Sequence, residues 1–410
     1  MSKYEIVMGL ETHVRVKSAT KMFCGCANAI ELADEPNLHV CPVCMGMPGM
    51  LPSLSAGVVD LSVRAAQVLR MTVNETSIFD RKSYFYPDLP QGFQITQLYR
   101  PIAEHGNVKT YVGGQLKEFR VNRLHIETDA GKLIHSGSRT LCDYNRAGSP
   151  LMEIVTEPDF RAKDEVIAYL EELQKLMRWC GASDADMEKG QLRCDVNISL
   201  RPIGSTELRN RVELKNINSF SSIGRAIDVE FVRQEEIYES GGYVTQETRG
   251  WDDEHGESHS MRSKEDAMDY RYFPEPDLPH LVVTPAFIKE REIFELPIDR
   301  RKKYVETFGL GADDSRILSN ERVISDYFEV LISFTDDPKK SCSYITTILF
   351  SMFEEQGTVV DFSTLKFDVR ELGAVIGMTN ADELSSTNAK EVLRELFTNG
   401  GIASEIVARK

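Results

Sequence analysis

The stretch MGLETHVRV, Met8 to Val16, alternates strictly: Glu11, His13 and Arg15 fall on one side, Leu10, Thr12, Val14 and Val16 on the other. Period two is the strand period, so the segment reads as a β-strand with one apolar and one charged face. The apolar face can pack on a core. The charged face sets a carboxylate beside an imidazole, and related pairings recur along the chain. NRLHIETDAG places Arg123, His125, Glu127 and Asp129 opposite Leu124 and Ile126. GQLRCDVNISL places Gln191, Arg193, Asp195, Asn197 and Ser199 opposite Leu192, Cys194, Val196, Ile198 and Leu200. NRVELKN sets Arg211, Glu213 and Lys215 opposite Val212 and Leu214, and SPLMEIVTEPD adds Glu153 among apolar neighbours.

A half-exposed antiparallel sheet would also alternate, with Thr, Ser, Lys and Glu mixed on its wet face. Here four strands each set an acid beside a His, Arg or Lys, and a fifth adds a lone Glu, which favours a site. Carboxylates gathered on one face repel and require cations; Mg²⁺ takes one or two carboxylates plus phosphate oxygens and water. Interleaved Arg and Lys suit phosphate. Metal-neutralised charge and fixed cations are what phosphoryl transfer requires. A carboxylate–His set without them would suit a hydrolytic metal instead.

The chain has 410 residues, 41% hydrophobic and 27% charged, enough for two or three domains. Its net charge of −16 excludes a generally basic nucleic-acid binder; RNA would have to meet a local patch. No apolar run approaches a membrane span, and the first strand begins almost at once, without a signal or transit peptide. The expectation is a cytoplasmic protein.

From Tyr4 to about Val283 the pattern is strand-rich, with two helices: KDEVIAYLEELQKLMRWC, and a segment from about Ser222 to Ser240 that stops at Gly241-Gly242. YFPEPDLPH marks the end of this region, and from about Pro285 the composition turns helical. The predicted class is α+β: a largely antiparallel sheet domain over 1–290, then an all-α domain over 291–410.

CGCANAIELADEPNLHVCPVC, residues 24–44, gives C-x-C, fourteen residues, then C-x-x-C. In a large cytosolic chain this spacing favours a closed structural Zn²⁺ site of Cys24, Cys26, Cys41 and Cys44 over disulfides. Cys142, Cys180, Cys194 and Cys342 are scattered among apolar neighbours and are expected as buried free thiols. DRKSYFYPDLPQGFQITQ interleaves Arg81 and Lys82 with Tyr84, Phe85 and Tyr86; SMRSKEDAMDYRYFPEPD repeats the mixture with Arg262, Lys264, Tyr270, Arg271 and Tyr272. Both suit base stacking and phosphate contact, and equally an aromatic loop or surface helix packed on the core. No P-loop and no nucleophile pair for amide hydrolysis is present.

GLETH, CPVCMGMPGMLP, DRKSYFYPDLPQGFQITQ, HIETDAGK, SPLMEIVTEPD, DMEKGQLRCDVNISLRP, VELKNINSF and DYRYFPEPDLP together resemble the B subunits of the aspartyl/glutamyl-tRNA amidotransferases. The resemblance runs in order from Glu5 to about Pro279. It implies a cradle domain similar to the catalytic sheet of glutamine synthetase, followed by a helical domain. It implies ATP-dependent phosphorylation of Glu or Asp misacylated on tRNA(Gln) or tRNA(Asn), then displacement of phosphate by ammonia from an A subunit, with a C subunit bracing the pair. By motif, Glu11, His13, Glu127 and Glu153 fall at Mg²⁺-ligand positions. Asp195 and Glu213 are added as second-metal or ATP contacts, and Arg193, Lys215, Arg262 and Lys264 as nucleotide contacts.

Three departures stand out. Thr128 stands where the family usually has Glu, removing a carboxylate from that neighbourhood. KKSCSYITTILF lacks the usual tryptophan. The family's further C-terminal tail domain is expected to be missing. A stand-alone Mg²⁺-dependent ATP ligase on a small carboxylate, and a non-catalytic zinc-stabilised RNA-binding subunit, are the competing readings.

Overall fold

The computed structural model describes residues 2–28, 35–263 and 269–409, with the side chains of residues 262 and 263 set aside. It forms two compact units, Met1–Phe294 and Glu295–Lys410. The class is α+β, with a large, mostly antiparallel sheet in the first unit and helices throughout the second.

The opening strand, Tyr4–Arg15, lies inside a nine-stranded sheet. It pairs antiparallel with Pro150–Thr156 on one side and Leu192–Pro202 on the other. Beyond Pro150–Thr156 come Gln115–Thr128, Ala103–Val112 and Thr72–Val73, all antiparallel. Beyond Leu192–Pro202 comes Val212–Lys215, then Glu247–Asp252 and Glu257–Ser263. The pairing of Val212–Lys215 with Glu247–Asp252 is parallel, because the helix Phe220–Glu239 crosses between them.

The apolar faces read from the sequence form one layer: Met8, Leu10, Val14, Leu124, Ile126, Met152, Ile154, Leu192, Val196 and Ile198 are all fully or almost fully buried. The helix Lys163–Trp179 packs against this layer, with Tyr169 edge-on to Phe119 and Phe160. Phe220–Glu239 starts two residues before its expected start because the Ser219 hydroxyl accepts the Ser222 amide as an N-cap.

The expectation of two helices in this region is corrected by a third, Ala56–Val68. Its four valines are β-branched and read as strand formers, while Ser62, Ala65 and Ala66 carry part of its buried face with little apolar signal. Cys142 is likewise not buried: it is half-exposed on the Arg139–Asp143 strand of a small hairpin.

Gly106 sits in Ala103–Val112 where a Cβ would lie 2.3 Å from Met71 Cγ and 2.4 Å from the Leu69 carbonyl oxygen. The side chain could yield, but the carbonyl is backbone. Gly106→Ala is therefore expected to lower the stability of the first unit by about 3 kcal/mol. Trp179 and Trp251, the two tryptophans, both belong to that unit, so the urea midpoint of their fluorescence reads it directly. An unchanged midpoint would show that the backbones can part freely.

The second unit has its own core of Tyr304, Phe328, Leu349, Phe353, Leu372, Leu393 and Leu396. Within KKSCSYITTILF the helix widens to π geometry over Tyr344–Leu349 before resuming at Phe350–Glu355. No helix among the described residues is long and apolar enough to cross a membrane.

Candidate functional site

Antiparallel register turns five separate strand patterns into one acidic surface. His13 stands opposite Glu153 on one neighbour and Arg193 on the other, and Glu153 stands opposite His125. One row across the sheet therefore reads Arg193, His13, Glu153, His125. Glu11 stands opposite Asp195, and Glu213 opposite Asn197. Side chains directly opposite in an antiparallel pair share a face, so alternation within strands becomes convergence between them.

His13 is the hub. Its Nε2 lies 3.3 Å from Glu153, 3.6 Å from Glu127 and 3.9 Å from Glu11. His125 Nε2 lies 3.2 Å from Glu153 and 3.6 Å from Glu127. The candidate ligand atoms form two groups that share His13: Glu11, His13 and Asp195, and His13, Glu127 and Glu153. Within each group the atoms lie within 4.8 Å of one another. The sequence reading assembled Glu11, His13, Glu127 and Glu153 as one set; the geometry distributes them between these two.

Two imidazoles set the charge balance of this surface. Burial opposes a charge on His13, but its hydrogen bond to Glu153 and the charges of Glu127, Glu153 and Glu11 raise its pKa to about 9. His125 rises to about 9 against complete burial, chiefly through Glu153. Burial likewise opposes the charges of Glu127 and Glu153, yet the two imidazoles hold Glu127 below the usual carboxylate range and Glu153 well below it. Glu11 is pushed up to about 7, by burial and then by Glu153. Protons on two imidazoles thus partly neutralise a carboxylate cluster, as a bound cation would.

The surface floors a basin of about 800 Å³. Lys215 enters it between Asp195, which it contacts closely, and Glu213 at 3.1 Å. Burial opposes its charge, but those carboxylates raise its pKa above the ordinary lysine value. Thr248 Oγ1 donates to Glu213 at 2.9 Å. Arg193 is half-exposed and reaches Asp129 at 3.5 Å; Asp129 is also held by Arg146 at 3.3 Å. Arg262 stands opposite Thr248 in the strand register, and Lys264 lies outside the described residues.

The first aromatic–basic segment divides. Arg81 forks onto buried Glu275 at 2.6 and 2.8 Å and lies 4.1 Å over the Phe93 ring, so it is structural. Lys82 instead lies 4.7 Å over Tyr270 and lines the basin with Tyr84. Thr128 does not thin the acidic cluster as expected. It turns away, and its hydroxyl accepts the Ile95 amide at 3.3 Å. His125 was legible as part of a polar face but was not assigned to the site; its contact with Glu153 appears only when the strands are paired.

The four clustered cysteines place their sulfurs within 4.8 Å of one another. The turn of the second pair is a metal knuckle in form: the Cys41 amide donates to Cys44 Sγ at 3.2 Å, and the Met45 amide to the Cys41 carbonyl at 3.0 Å. Gly46 closes it at φ +64°, where a Cβ would meet Gln91 Cγ at 2.7 Å. A hydrogen bond from Cys24, aided by the Lys21 ammonium, lowers Cys44 to about 5, while burial raises Cys26 to about 11. Residues 29–34, within the intervening fourteen, lie outside the described residues. Cys24 and Cys44 also border a small hollow lined by Asp129 and Gly148, so the knuckle and the basin share a wall.

Comparison with known proteins places this geometry. A family model described as the GatB/GatE catalytic domain matches residues 6–289, and one described as the GatB domain matches residues 326–410. The B subunit of the aspartyl/glutamyl-tRNA(Asn/Gln) amidotransferase of Myxococcus xanthus is 43% identical over 100% of this chain and 86% of its own length. The B subunit of the same name from Elusimicrobium minutum is 43% identical over 97% and 83%. That from Carboxydothermus hydrogenoformans is 42% identical over 100% and 86%.

Proposed function

This chain belongs to the B-subunit family of the aspartyl/glutamyl-tRNA(Asn/Gln) amidotransferases, and from that premise we propose that the acidic basin is its phosphorylation and amidation site. The substrate is the side-chain carboxylate of Glu or Asp misacylated on tRNA(Gln) or tRNA(Asn). ATP activates it, and ammonia from the glutaminase A subunit replaces the phosphate, with the C subunit completing the assembly. We place this work in the cytoplasm, and read the sheet as similar to the catalytic sheet of glutamine synthetase.

The observation that carries the proposal is the row Arg193–His13–Glu153–His125 with Glu11 and Asp195 beside it. Carboxylate and imidazole atoms converge there in number beyond what two imidazolium protons balance. Glu11, His13, Glu127 and Glu153 would hold Mg²⁺, with Asp195 and Glu213 as second-ion or nucleotide contacts. When bound, such ions neutralise charge developing on the transferred phosphoryl group. The chain's own cations do the rest. Lys215 stays charged between two carboxylates and can hold a phosphate oxygen, and Arg193 adds a contact from the basin lining; Arg262 and Lys264 are kept as nucleotide contacts on the sequence reading alone. The acyl phosphate formed by γ-phosphoryl transfer has a good leaving group, so neutral ammonia suffices as nucleophile. Water must be excluded, or the intermediate hydrolyses.

Cys24, Cys26, Cys41 and Cys44 fit a structural Zn²⁺, because four sulfurs so gathered match a tetrahedral site with Zn–S of about 2.3 Å.

With co-purified A and C subunits, ATP turnover is expected only when misacylated tRNA is present, measured as phosphate release with each charged tRNA in turn. Turnover on free glutamate or aspartate without tRNA would favour a stand-alone ligase instead. By itself the chain is expected to show no glutaminase activity and no glutamine-dependent amidation. With ammonium salts supplied, it is expected to amidate misacylated tRNA slowly. Glutamine-dependent amidation by a preparation free of the glutaminase would overturn this division of roles.

A further inference from the structure

Lys21 is fully buried. Its ammonium donates to the His39 carbonyl at 2.7 Å and the Tyr144 carbonyl at 3.2 Å, and lies 3.7 Å from Cys44 Sγ. Among the described residues these partners include no carboxylate. A buried ammonium with only neutral acceptors is costly, because carbonyl dipoles replace only part of its lost hydration. Charge balance therefore calls for an anion at the remaining partner, the Cys44 sulfur. Four neutral thiols cannot supply it; a Cys44 thiolate can, and a metal–tetrathiolate cluster, net −2 with Zn²⁺, holds that sulfur as a thiolate.

We propose that Lys21 is the resident counter-charge of the cysteine cluster: it donates to the Cys44 thiolate of the metal-loaded site and ties that site to the wall of the basin. The tie is continuous through the backbone. Lys21 grips Tyr144, and the next residue, Asn145, accepts the His39 amide at 2.8 Å. The Met22 amide donates to the Gly148 carbonyl, and the Gly148 amide to the Asp129 carbonyl, each at 3.0 Å. Asp129 then faces Arg193 in the basin. Lys21 thus positions a metal ligand and touches no substrate. Its charge makes the fold depend on metal more steeply than four cysteines alone would.

The inference rests on the reading of the cysteines as a metal site, and a four-cornered comparison keeps the two apart. Full-length chain and Lys21→Met are each measured zinc-loaded and zinc-stripped, by unfolding midpoint and by transfer of zinc to a competing chelator. Lys21→Met is expected to bind zinc about 10- to 100-fold more weakly, the usual cost of losing a hydrogen-bonding partner of a metal ligand. Stripping should lower its midpoint less than that of the unsubstituted chain, in which the buried ammonium loses the doubly negative cluster it faces. In cobalt-loaded protein the thiolate-to-metal charge-transfer band should move to longer wavelength in Lys21→Met, since a hydrogen bond to sulfur lowers its donor energy. Equal stripping losses and an unmoved band would overturn the role of Lys21. An unsubstituted chain that takes up no metal would overturn the cysteine reading itself.

Should Lys21→Met fail to fold, the unsubstituted chain answers alone. An amine-reactive reagent should spare Lys21 in loaded protein and label it about as fast as exposed Lys17 in stripped protein; equal protection in both forms would overturn the proposal.

Discussion

Glu11→Gln is expected to lower ATP-dependent amidation of misacylated tRNA about 10²- to 10³-fold, the scale seen when one preorganised group stabilising transition-state charge is removed. Glutamine keeps the shape and one oxygen but removes the charge that faces His13 and Asp195. The fold should not suffer. The Glu11 carboxylate has its pKa raised from 4.5 to about 7, so its ionisation destabilises the folded state increasingly above pH 4.5 and fully above about pH 7. Metal-free Glu11→Gln should therefore be at least as stable as the unsubstituted chain at pH 8, and the activity loss is attributable to chemistry. The checks are phosphate release, amidated product and the thermal midpoint, measured on the complex with the glutaminase. Intact amidation with lost glutaminase activity would overturn the assignment. Glu153→Gln would be a poorer probe, because it leaves the imidazoles of both His13 and His125 short of their shared partner.

Cys24→Ser should have the largest effect on stability. A closed tetrathiolate site contributes its metal-binding free energy to folding, and small zinc modules are unfolded without the ion. The variant is expected to lose its zinc and several kcal/mol of stability, read by metal analysis and by tryptophan fluorescence during urea unfolding. What remains folded should still turn over ATP, because Cys24 lines the small hollow behind the wall and not the basin itself. A raised KM for nucleotide would follow from the Met22–Gly148–Asp129 backbone tie, which carries loosening of the knuckle to the basin wall. Zinc-free protein of unchanged stability would refute the structural role.

The acidic face was legible because alternation is local: Glu11 and His13, or Glu127 and Asp129, lie two residues apart and must share a side of a strand. Which strands lie side by side was not. His13 meets Glu153 across 140 positions of sequence, and nothing in either string encodes that register. For the same reason His125 read as one polar residue among several. Lys21 left still less trace, since a lysine between Thr20 and Met22 looks like any surface residue until its burial is seen. Thr128 marks the opposite case. Strand periodicity alone puts it on the other face from Glu127, and the structure follows that rule. The helix Ala56–Val68 escaped because its valines favour strands and its small residues mute the helical period.

The placement of the first strand has a consequence for how the protein is made. Tyr4–Arg15 leaves the ribosome well before either of its neighbours, which lie far downstream and end at Thr156 and Pro202. At about 5–20 residues per second, synthesis takes on the order of 10 to 40 s to deliver the second partner. Until then at least one edge of the strand stays open to other chains, and the layer that covers Ile6, Met8 and Leu10 is incomplete. Such long-range pairing makes for slow folding. The nascent chain is expected to occupy a holding chaperone until Pro202 has emerged, and truncations that stop before Leu192 should aggregate even though they carry Glu11, His13, Glu127 and Glu153 intact.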